Sequence, residues 1–207
     1  MDQNFDRMRR RWPQRQFDEE PDPIRLYDAR RKLENDPERA VQELAFLASR
    51  GSIMSMIYLG EAFARGTGGE IDQEKAESWY KKAAASGSPI ALHLLGRLYL
   101  KSDRAQEAVE AFKHAAEKDY APSLYLLGRM YFWGRGVQRD SRCGAKMFRC
   151  AMKLGNLPAK GAMAKFLMSG EEGRLGVLRG VWLSISVRME TLFVLVTEGT
   201  GSERLRM

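Results

Sequence analysis

Three cations recur at one register of this 207-residue chain. Arg97 follows Gly96, Arg129 follows Gly128 and Lys165 follows Ala164, each within apolar residues at helical spacing. Tyr125, Phe132 and Trp133 interleave with the row, and His93 and Lys101 flank Arg97 at four residues on either side. Guanidinium and ammonium groups can hold a carboxylate by charge-assisted hydrogen bonds, while nearby rings anchor an apolar side chain. The chemistry expected here is capture of an acidic peptide or a chain-terminal carboxylate.

Bond-breaking chemistry has no support in the residue types. His93, His114, Cys143 and Cys150 give no metal-ligand spacing, so neither a metal nor a cofactor is expected. The two cysteines lie seven residues apart in a helical stretch, about 10 Å at the helical rise, which exceeds disulfide reach. No serine or cysteine stands in a nucleophile motif beside a histidine. Carboxylates such as Glu74 and Glu77 read as a solvated helix face. The Gly-rich segments 64–72 and 132–140 lack the lysine–serine/threonine pair of a nucleotide-binding loop. The chain is expected not to be an enzyme.

An internal repeat creates the row. SMIYLGEAF at 55–63, ALHLLGRLY at 91–99 and SLYLLGRMY at 123–131 place Gly60, Gly96 and Gly128 in register, 36 and then 32 residues apart. A degenerate fourth copy, AKGAMAKFL at 159–167, carries Ala164 there. A second signature reads AESWYKKAAASG at 76–87, AVEAFKHAAEKD at 108–119 and GAKMFRCAMKLG at 144–155, with a half-copy at 40–51. Its aromatic position is Leu44, Tyr80, Phe112 and Phe148, and it closes on Gly51, Gly87, Asp119 and Gly155. Apolar residues in both signatures fall at i, i+3, i+4 and i+7, one face of a helix. Glycine inside a helix costs about 1 kcal/mol relative to alanine. Gly60, Gly96 and Gly128 therefore predict close approach of a neighbouring helix backbone, with Tyr80, Phe112 and Phe148 filling the adjacent gaps. The connecting loops match as well, Gly66 with Gly134, Gly68 with Gly136 and Asp72 with Asp140, which predicts a tight turn and an N-cap. In the middle copy the loop shortens to LKSD at 100–103.

The combined pattern resembles the Sel1-like repeat, a relative of the tetratricopeptide repeat, over about residues 36–169. That resemblance implies an all-α fold, a right-handed α-solenoid of antiparallel helix pairs. It also implies a non-catalytic scaffold or adaptor for protein partners, commonly in bacterial regulatory, envelope-assembly or trafficking complexes. Some members carry a disulfide in each repeat and have proposed β-lactam binding; this chain lacks the paired cysteines, and that property is not carried over. In helix-pair solenoids the first helix of each repeat lines the concave groove. The expected partner-binding residues are then His93, Arg97, Lys101, Tyr125, Arg129, Phe132, Trp133 and Lys165.

The flanks differ from the repeats. Residues 1–22, with Arg7, Arg9, Arg10, Arg11 and Arg15 beside an acidic, proline-containing stretch, predict a flexible arm in which Trp12 and Phe17 are candidate anchors. Residues 23–52 are expected to hold N-terminal capping helices and the half repeat, 53–169 the array, and 170–207 an apolar C-terminal capping helix and tail. Within the last, Leu178, Trp182, Ile185, Met189, Leu192 and Val196 recur at helical spacing, interrupted by Arg174, Arg179 and Arg188. Three roles fit segment 174–198: a cap on the last repeat, a surface for another protein, or an interfacial membrane helix with snorkelling arginines. The run LFVLV at 192–196 is an aggregation hazard if exposed.

Charge is segregated. Residues 1–127 hold 20 basic and 21 acidic side chains, net −1; residues 128–207 hold 14 and 6, net +8. The asymmetry suits an acidic protein partner, an anionic membrane surface or nucleic acid, and the last is the weakest because no base-reading motif is present. With no secretory apolar region and no apolar run near the ~18 residues of a membrane span, a cytoplasmic protein is expected.

Overall fold

The computed structural model describes residues 20–170 and 173–203, the segment 190–203 as backbone alone. Most of the expected arm, with its arginines, Trp12 and Phe17, lies outside the described residues, as do the side chains of the LFVLV run. Among the described residues there are ten helices and no strand. They form two compact units that divide between Asp103 and Arg104.

The first unit contains α1 (Pro23–Asn35), α2 (Pro37–Ser49), α3 (Ile53–Arg65), α4 (Gln73–Ala85) and α5 (Pro89–Lys101), each packed on its neighbour in sequence. Short polar side chains start them. Asp22, Asp36, Ser52, Asp72 and Ser88 each accept a backbone N–H from the first turn, and proline opens α1, α2 and α5. Such caps satisfy donors that have no partner inside the helix. Glu20 reaches α3 as well: its carboxylate accepts the N–H of Met54 at 2.9 Å and the hydroxyl of Ser52. The core joins Leu26, Leu44, Leu47, Ile57 and Leu59, all nearly inaccessible to solvent.

The second unit contains α6 (Ala105–Ala116), α7 (Ala121–Trp133), α8 (Ser141–Lys153), α9 (Leu157–Met168) and α10 (Gly173–Glu203). Asp140 and Asn156 cap α8 and α9, whereas Arg104 and Tyr120 make no side-chain cap. Phe112, Phe148 and Phe166 are fully buried, each stabilising the unit by about 2–3 kcal/mol relative to exposure. On one side α10 packs against α9. A Cβ at Gly180 would stand 2.9 Å from the Ala164 carbonyl, and Leu183 packs on the cluster containing Phe148 and Phe166. No described helix is long and apolar enough to cross a membrane.

The two long loops are built alike. Gly66 and Gly134 end α3 and α7 at φ +72° and +71°, where a side chain is strained. The N–H of Asp72 then donates to Phe63 O, and that of Asp140 to Tyr131 O, both at 2.9 Å. Each aspartate finally caps the next helix.

The packing at the repeat glycines differs from the expected backbone contact. A Cβ on Gly60 would lie 2.5 Å from the Tyr80 ring, and one on Gly128 2.8 Å from the Phe148 ring. The glycine makes room for an aromatic face of the following helix, so ring and glycine are one packing unit. At Gly128 backbone also comes close: a Cβ there would be 3.0 Å from Gly144 O, and one on Gly144 2.7 Å from Gly128 O. Gly96 and Phe112 are buried too.

Candidate functional site

The two units carry recesses built on equivalent residues, 68 positions apart. In the first, Glu61, Ala64, Arg65, Tyr80, Leu94, Arg97 and Lys101 enclose only about 50 Å³. In the second, Tyr125, Arg129, Phe132, Trp133, Phe148, Gly161, Ala162 and Lys165 surround about 430 Å³. Glu61 corresponds to Arg129, Ala64 to Phe132, Arg65 to Trp133, Tyr80 to Phe148 and Arg97 to Lys165. Thus Tyr125, Arg129, Phe132, Trp133 and Lys165 meet in one cleft, and Arg97 and Lys101 share the smaller recess.

The two recesses differ on the inner helix, where Leu94 lines the first and Gly161 with Ala162 lines the second. His93 and Leu94 stand in α5 where Gly161 and Ala162 stand in α9. An imidazole and an isobutyl group are thereby exchanged for a hydrogen and a methyl. His93 does not face open solvent as its register suggested; it is 8% exposed. Burial, reinforced by the Arg97 charge, pushes its pKa from 6.5 to about 4, so the ring is neutral near pH 7. Ile57, four residues before Glu61 as His93 is before Arg97, is also buried. By contrast, a Cβ on Gly161 would meet nothing within 4 Å.

Electrostatics separate the recesses further. The first contains its own acid, Glu61, which lies 3.8 Å from Arg65. Burial also raises the pKa of Tyr80, keeping its hydroxyl neutral. No carboxylate lines the second cleft, and among the described residues neither Arg129 nor Lys165 has a carboxylate partner. The Arg129 guanidinium lies 5.8 Å from the centre of the Tyr125 ring, a cation–π distance. Phe132 meets Trp133 edge-on at 4.9 Å and Phe166 at 6.4 Å, which braces the wall. Trp133 is 69% exposed despite its size. Such a cleft can take an apolar side chain against its rings and a carboxylate between its cations. Among the described residues no group of three or more His, Cys, Asp or Glu could hold a metal ion.

Residue register placed Gly161 on the groove row with the cations and rings, but it did not point to Ala162, whose signal was the loss of bulk in the degenerate fourth copy.

The Sel1 repeat family model matches residues 53–88 and 121–156, which are α3 with α4 and α7 with α8, each through the first residues beyond the pair. The chain carries two Sel1 repeats. Sel1 repeats generally mediate protein–protein interaction. Among solved structures, the protein is similar to a Sel1 repeat protein from Oxalobacter formigenes, 24% identical at a TM-score of 0.69, over 80% of this chain and 69% of that one. It is also similar to c5321, a protective antigen of uropathogenic Escherichia coli with this fold, 23% identical at 0.64, over 80% of this chain and 40% of that one. A third likeness is to cysteine-rich protein B of Helicobacter pylori, 17% identical at 0.51, over 62% and 98%. These likenesses show a helical repeat solenoid. Cys143 and Cys150 of this Sel1-like protein are free thiols.

Proposed function

We propose that the protein is a non-catalytic adaptor whose second unit receives an acidic segment of a partner protein in the Arg129–Lys165 cleft. The observation that carries this reading is an open, ring-walled cleft with two cations and no carboxylate. Trp133 and Phe132 supply the kind of exposed aromatic anchor that dominates binding energy at interfaces. Hydrogen bonds to charged groups contribute about 1.5–3 kcal/mol each, enough to favour an acidic ligand over a neutral one. Arg97 and Lys101 belong to the same register, but their recess is small and holds Glu61. The main site is therefore assigned to the second unit.

Calorimetric titration of the full chain with a peptide carrying Asp and Glu around a central Leu tests the assignment. Saturable binding should weaken at least about tenfold for Arg129→Glu, a loss near 1.4 kcal/mol, with unchanged thermal stability. Equal affinity of the variant and the parent would overturn it.

A further inference from the structure

Helix α10 has two unlike sides. Gly180 and Leu183 lie toward α9 and its cluster. The opposite side exposes Leu175, Leu178, Trp182, Ile185 and Met189, each between 57% and 72% accessible. These positions advance by three and four residues in strict alternation, and the sequence continues the alternation to Leu192 and Val196. A repeat of 3.5 residues, held over three heptads and about 30 Å of helix, is the pattern of a helix supercoiled with another helix. A helix resting on flat lipid has no need of that period.

The flanks of this stripe select the partner. Arg174 and Arg188 directly precede seam residues and Arg179 directly follows one, which are the positions that set pairing in two-stranded coils. No Asp, Glu or Lys occurs from 174 to 189. In a parallel, in-register pair of identical chains Arg174 would face Arg179 of its mate, and an antiparallel pair would also align arginine flanks. Like charges so placed disfavour self-association. We infer that the outer face of α10 is a coiled-coil seam for a helix of a different protein, one with Asp or Glu beside its own apolar stripe. This surface is separate from the cleft and does not depend on it.

The full chain can be titrated with a synthetic helix as long as the seam, carrying Leu and Ile in its stripe and Glu on its flanks, and with a twin carrying Lys on its flanks. The Glu helix should bind at least about tenfold more tightly than its twin. Joint substitution of Arg174, Arg179 and Arg188 by Glu should reverse that preference. Trp182→Glu with Ile185→Glu, at solvent-exposed positions, should abolish binding while the circular dichroism spectrum stays unchanged. Three results would overturn the inference: no difference between the two helices, a dimeric chain in sedimentation, or binding to phosphatidylglycerol vesicles without binding to either helix.

Discussion

The recess of the first unit and the cleft of the second share a frame and differ in what fills it. Both sit beside a loop with the same hydrogen bonds and beside an aromatic ring pressed onto a helical glycine, Tyr80 on Gly60 and Phe148 on Gly128. Into that frame the first unit puts Leu94 and Glu61, giving a small pocket with its own acid. The second puts Gly161, Ala162 and Arg129, giving an open cationic one. Backbone-determined features are copied between repeats, while the side chains around the frame set the size and charge of each recess.

The strongest way to break the equivalence of the frames lies at the α7–α8 crossing. Gly144 is pressed against Gly128 O, whereas the first unit tolerates Ala76 at the matching position. Gly144→Val should destabilise the protein by about 3 kcal/mol in chemical denaturation, because the obstacle is backbone rather than a mobile side chain. Ala76→Gly in the first unit should cost only about 1 kcal/mol.

Charge reversal sharpens the contrast between the sites. Arg129→Glu with Lys165→Glu should weaken an acidic peptide about a hundredfold, close to 2.7 kcal/mol. Arg97→Glu should change that affinity by less than about threefold, since its recess holds only about 50 Å³ and contains Glu61. Calorimetry of the two variants separates these outcomes.

Acid should affect the units unequally. His93 has its folded pKa depressed from 6.5 to about 4, so the unfolded chain binds the extra proton first. Its contribution to stability is complete above pH 6.5 and is lost as pH falls toward 4. Between pH 7 and pH 5 the loss should be about 2 kcal/mol. Denaturation at the two pH values should show this decline in the parent and a flatter profile in His93→Gln. Gly161 provides no such group in the second unit.

The smallest expected effect is a gain. Gly161→Ala places a methyl in open space within α9 and should stabilise the protein by about 1 kcal/mol, measured as a shift of the denaturation midpoint. Gly161→His should instead narrow the cleft and reduce peptide affinity.

Features that depend on backbone geometry were legible in the sequence. The pairing of Gly66 with Gly134 and of Asp72 with Asp140 predicted identical turns and caps, because positive φ and an unpaired N–H constrain residue type directly. The closing register was equally readable. Gly51, Gly87 and Gly155 adopt positive φ, and Asp119 adopts +54° in the same place. Side-chain occupancy was less so. Helical periodicity could not tell that His93 and Ile57 turn into the packing while Tyr125 is only half-buried, since all share one register. Likewise, a glycine demands only that something approach closely. Whether that is a ring, as at Gly60, or a ring together with a backbone carbonyl, as at Gly128, depends on the partner helix.

Amide chemical-shift mapping of the full chain during titration with the acidic peptide tests the central claim most directly. Perturbations should concentrate at Tyr125, Arg129, Phe132, Trp133, Gly161 and Lys165. A response centred on Glu61, Arg65 and Arg97, or none at either recess, would contradict the assignment of partner binding to the second unit.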